Sequence, residues 1–176
     1  DGGKRALPGS VRTHYRVDLS PADLHVHALA CMPMEAMVPF FRSCPDAYIF
    51  TGEGAGRGTL RFFKSGAPEG FVPFRDAVMP DLEDLWTMKG IPLERDTWEA
   101  FEEIFDRHAF ESDPSVTGRY YEATFRYYAS LNIQHVEIRM IFLGGPEESR
   151  LKAEAIRSAY YKVMEDNPGF SVTLIG

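Results

Sequence analysis

Cysteine is nearly missing from this chain of 176 residues, with Cys31 and Cys44 its only two. Two thiols allow one bridge at most, which excludes a disulfide-stapled scaffold and leaves the redox compartment open. No run of 18 apolar residues occurs, so no membrane partner is expected. Basic residues are in deficit, 19 Lys and Arg against 26 Asp and Glu, and a net charge of −7 disfavours nucleic acid as a partner. What is present is a globular composition: 44% hydrophobic, 26% charged and 13% aromatic, enough bulk for one core. Residues 1–20 hold Gly2, Gly3, Pro8 and Gly9 and read as an irregular lead-in, not as a signal peptide.

From Asp23 the pattern tightens into a short strand, followed by a helix that starts near Pro33, where proline suits a first turn. Met34, Met37, Val38 and Phe41 carry helical spacing, and Pro39 predicts a kink or an early end. Residues 48–50 and 59–63 read as two short strands. The glycine run between them lacks a following Gly-Lys-Ser/Thr and opens no helix, so a hairpin connection is favoured over a phosphate loop. Asp96 with Glu99 three residues on predicts a capped helix start, with Trp98, Phe101, Ile104, Phe105 and His108 on one face. A second helix runs from near Ser115 to Asn132. Residues 133–142 alternate as a strand, residues 147–166 form a helix stopped by Asn167-Pro168-Gly169, and residues 171–175 begin another strand. Strands alternating with helices imply crossover units, with three parallel strands in sequential order and helices outside.

His25 and His27 lie two apart on the first strand, so the strand period places both imidazoles on one face. Side by side at a strand end they suit a divalent metal, zinc foremost. The plainer alternative is a hydrogen-bonded surface pair. His108 ends an amphipathic helix, where a cation would suit the helix dipole. His135 alternates with Val136 on a strand, and for both the structural role is favoured. His14 is given no role. Glu137 and Arg139, also two apart, read as an ion pair or as substrate ligands, the pair being the commoner arrangement.

The stretch Asp23-Leu24-His25-Val26-His27 resembles the opening metal motif of adenosine deaminases, in the amidohydrolase superfamily of metal-dependent barrels. Trp98, Phe101, Ile104 and Phe105 resemble the Trp-x-x-Phe-x-x-Ile-Phe helix of the secreted branch, the adenosine deaminase-related growth factors. Tyr120-Tyr121 through Val136-Glu137-Ile138-Arg139 is similar to the second-strand signature of both branches. The resemblance spans residues 21–176. It implies an α/β fold, a (β/α)8 TIM barrel of metal-dependent hydrolase type, of which this chain supplies about the first three strands. Residues 1–20 would be the lead-in and residues 21–176 the N-terminal part of the barrel. A segment at about 44–80 sits where the secreted branch inserts a small extra domain.

The activity implied is zinc-dependent hydrolytic deamination of a purine nucleoside, adenosine to inosine plus ammonia or a related aminated purine. His25 and His27 match two zinc ligands, and Trp98 matches a substrate-pocket aromatic, with a helix-core anchor as its plainer alternative. The acid and the remaining ligands are expected beyond Gly176, so no catalytic residue is assigned within the chain. The 176 residues alone are expected to hold little zinc and to release no ammonia. Ala28, Leu29 and Ala30 stand where the family carries an acidic residue that meets the ribose, which favours a related substrate over adenosine itself. No cysteine stands at the place expected for a partner of Cys44. Export is compatible with the branch resembled, and a cytoplasmic location stays open, as does the oligomeric state. Two alternatives stand beside this reading: another amidohydrolase acting on an amide or a different aminated ring, and a non-catalytic, growth-factor-like interaction protein on the same scaffold.

Overall fold

The computed structural model describes residues 22–27, 32–89, 91–92, 95–108, 114–140 and 145–175, with the backbone alone for 22–25 and 27. The described strands fall into two sheets. Strand β1 (Ala22–His27), β5 (His135–Arg139) and β6 (Ser171–Ile175) form a parallel sheet in the order β1-β5-β6. The parallel, sequential order expected from the strand and helix alternation is therefore present. Among the described residues no sheet closes on itself.

Strand β2 (Ala47–Phe50), β3 (Leu60–Phe62) and β4 (Phe71–Pro73) form a separate antiparallel sheet in the order β3-β2-β4. It lies within the segment read as an insertion. Alternation sorts its two faces: Ala47, Ile49 and Leu60 are buried, while Tyr48, Phe50, Phe63 and Phe71 line the other side in ring contact. Gly70 has a backbone φ of +86°, and a Cβ there would lie 2.3 Å from the Phe50 ring, so only glycine fits this approach.

The first helix, α1 (Met34–Ser43), starts after Pro33 as expected, but it does not end at Pro39. Pro39 is exposed, and the chain runs on past it to bury Met37 and Phe41. Short helix α2 (Leu82–Trp86) supplies the buried Trp86. Helix α3 (Thr97–Arg107) starts where the sequence placed it: the Asp96 carboxylate accepts from the N–H groups of Trp98 (2.9 Å) and Glu99 (3.3 Å).

Helix α4 (Pro114–Ser130) is the spine of the fold. It buries Val116, Tyr120, Tyr121, Thr124, Phe125 and Tyr128, more than one face, because it has neighbours on several sides. Tyr120 stacks on Phe41 of α1, Tyr121 donates to the Met140 sulfur at 3.2 Å beyond β5, and Phe125 meets Phe170 before β6. Its end at Asn132, with φ of +58°, is the left-handed stop that asparagine tolerates. Helix α5 (Pro146–Asp166) packs on α4, and Gly118 faces Ala155 at that crossing.

Candidate functional site

The two histidines of β1 sit on a strand that is not regular. Its partners run Leu24 to Glu137, then Val26 to Ile138, which leaves His25 as an extra residue at a bulge, and His27 opposite Arg139. Bulges bend a strand and re-aim a side chain, and they recur beside active sites. The shared direction of the two imidazoles, expected from the two-residue period, concerns side chains outside the described residues.

The neighbouring strand supplies a polar face. On β5, Val136 and Ile138 are fully buried, while His135 and Glu137 are one-third exposed and Arg139 is exposed. A parallel strand covered on both faces reads as a continuous apolar run, so this alternation marks one face that no described helix covers fully. His135 lies opposite Ser171 and Glu137 opposite Thr173 on β6. The Ser171 hydroxyl donates to the Gln134 carbonyl at 3.1 Å, and the His135 Nδ1–H donates to Ser171 Oγ at 2.8 Å. Nε2 then faces Glu137 Oε1 at 3.8 Å, too long for a hydrogen bond. The expected Glu137–Arg139 ion pair is not made, and Glu137 has His135 as its near neighbour. Ser171 was not singled out from sequence. Its signal was position alone, the first residue of a strand parallel to the one that His135 opens.

His108 does not act as a cation at the end of α3. Its ring is 2% exposed, stacks edge-on against Trp86 with centroids 4.6 Å apart, and burial pushes its pKa down to about 4. Desolvation of the charged form therefore outweighs the helix-end attraction, and the ring is neutral. Trp98 is 65% exposed on the first turn of α3, so it is no core anchor. Its indole N–H donates to Glu102 at 2.9 Å, and its ring leans on Phe101.

The glycine-rich connection between β2 and β3 is held from several sides. Arg57 closes on Asp81 with two bonds of 2.7 and 3.0 Å and reaches the Thr51 carbonyl at 2.7 Å, while Trp86 donates to Gly58 O at 2.7 Å. Its arginine is spent on the fold, in keeping with a hairpin connection. Cys44 is free and buried, and burial raises its thiol pKa, which keeps it in the inert thiol form. Cys31, Ala28, Leu29 and Ala30 lie outside the described residues, as does His14.

A cavity of about 270 Å³ opens among Asn132, Gln134, Asp166, Asn167 and Phe170. It lies where the chain enters β5 and β6. Ligands of parallel α/β sheets bind at the opposite, carboxyl ends, where His27 and Arg139 stand. As metal donors, the two imidazoles of β1 fit zinc in type but not in number. A catalytic zinc takes three protein ligands, and no group of three His, Cys, Asp or Glu gathers among the described residues. Among those residues, too, no helix is long and apolar enough to cross a membrane.

Comparison with protein-family models, with curated proteins and with solved structures returns no match for this chain.

Proposed function

We propose that this chain is the first part of a zinc-dependent hydrolytic deaminase of the adenosine deaminase type, on a (β/α)8 barrel. Its substrate is a purine nucleoside, adenosine or a related aminated purine. One observation carries the reading: the strand with His25 and His27 pairs in parallel with a strand whose free face presents His135, Glu137 and Arg139. In a barrel that face is the interior, and its carboxyl end is where such folds carry their chemistry. His25 and His27 would be two of the zinc ligands, the third not being among the described residues, and the ion would supply activation of a water for attack on the amino-bearing carbon. Arg139, level with His27, lines the substrate side, and the exposed Trp98 ring offers a stacking surface for a purine.

The test is ammonia release from adenosine and from other aminated purine nucleosides by the natural protein that carries this chain. Release that is abolished by His25→Ala and by His27→Ala supports the reading. Unchanged release in His27→Ala, or no release from any aminated purine, overturns it. In the second outcome the scaffold is a binding module or serves another substrate.

A further inference from the structure

His108 caps α3 at its carboxyl end, and its ring is held by two contacts. Nδ1 lies 2.8 Å from the Ile104 carbonyl, so the neutral ring carries its proton there and donates it. Nε2 is buried and has no hydrogen-bond partner among the described residues. The ring edge meets Trp86 of α2, and Trp86 spends its own N–H on Gly58 in the loop of the small sheet. One imidazole thus sits where α2, α3 and the small sheet meet.

The charged groups on those elements leave a second proton unsupported. On α3, Arg107 is the neighbour whose charge acts on the ring, and it opposes protonation. Arg107 is itself committed to Arg57 O, Leu85 O and Glu103. Glu103 is shared with Arg95, Glu102 accepts from Trp98, and Asp106 is exposed. On α2, Glu83 is exposed and paired with Lys89, and Asp84 is exposed. From the small sheet, Arg57 is closed on Asp81, and Arg61 donates to the carbonyls of Leu60 and Asp106.

We propose that His108 is an acid-operated latch: neutral, it holds α2 and α3 on the small sheet, and protonated at Nε2 it releases them. The proton would bring an N–H and a charge into a buried contact that offers no acceptor among the described residues. Desolvation is the main cause of the low pKa of this ring, with Arg107 adding to it and the Ile104 carbonyl opposing. The latch is therefore shut at neutral pH and opens as acid approaches pH 4.

Hydrogen exchange read as protection factors tests this in the natural protein between pH 7 and pH 4. Protection across α2 and α3 should fall about tenfold or more over that range while α4 and β5 keep theirs. His108→Phe keeps an aromatic ring against Trp86 with nothing to titrate, and it should hold α2 and α3 protected at pH 4. Loss of protection that persists in His108→Phe overturns the proposal. Where that variant does not fold, the titration of the His108 ring in the unaltered protein decides. A midpoint near 4 that coincides with the loss of protection supports the latch. A midpoint near the usual 6.5, or α2 and α3 still protected once the ring is charged, overturns it.

Discussion

Arg119 of α4 grips Asp46 at the entry to the small sheet with two hydrogen bonds, Nη1 to Oδ1 at 3.0 Å and Nη2 to Oδ2 at 2.7 Å. The guanidinium also lies 5.4 Å from the centre of the Phe62 ring. This forked contact ties the antiparallel sheet to the helix that supports the parallel one. Both side chains are partly exposed, 38% and 25%, so solvent screens the pair. Asp46→Asn should lower stability by about 1 kcal/mol, a geometry-assisted surface pair being worth little more. Urea unfolding at low and high salt checks it, and the difference from the unaltered chain should shrink in high salt.

The crossing of α4 and α5 predicts a substitution that helps. A Cβ on Gly118 would lie 3.5 Å from the Ala155 Cβ, an ordinary contact. Glycine inside a helix costs about 1 kcal/mol relative to alanine. Gly118→Ala should therefore stabilise the chain by about 0.5–1 kcal/mol. Gly118→Leu should destabilise it by about 1–3 kcal/mol, because the larger side chain must push α5 away. Thermal unfolding of the pair of variants should move the midpoint in opposite directions.

His108 sets a pH dependence of known sign. Its folded pKa is depressed, to about 4 from 6.5, so the folded state binds fewer protons than the unfolded chain between those values. Its neutral form is at full advantage above pH 6.5, and stability is lost as pH falls from there through 4. At ~1.4 kcal/mol per pKa unit the loss reaches about 3 kcal/mol. Urea unfolding at pH 7 and at pH 4 should show this difference in the unaltered chain. In His108→Phe that share of the acid sensitivity should disappear.

Local rules carried most of what the sequence foretold. Asp96 announced the start of α3 through its cap, Asn167-Pro168-Gly169 announced the end of α5, and the alternation of His135, Val136, Glu137 and Ile138 announced a strand with two different faces. What escaped depended on tertiary surroundings. His108 looked like a helix-end cation because the dipole is a local effect, whereas its burial against Trp86 comes from a residue 22 positions away. The core-anchor alternative for Trp98 fails, because the capped first turn leaves its ring exposed while Ala100 and Ile104 are turned inward. Pro39 suggested a kink or an early end, and the early end is not taken, since α1 runs on to Ser43. The candidate site was legible as a strand with a His-x-His, while its bulge at His25 and the Ser171 contact to His135 required the register of the sheet.

The zinc content of the natural protein tests the proposed metal role of His25 and His27. Elemental analysis of the purified protein, beside His25→Ala and His27→Ala variants of equal stability, gives the answer. About one zinc per chain in the unaltered protein is predicted, with most of it lost in either variant, since removing one ligand from a catalytic site leaves the ion poorly held. Equal zinc in all three proteins, or no zinc or other divalent metal in any of them, would rule that role out.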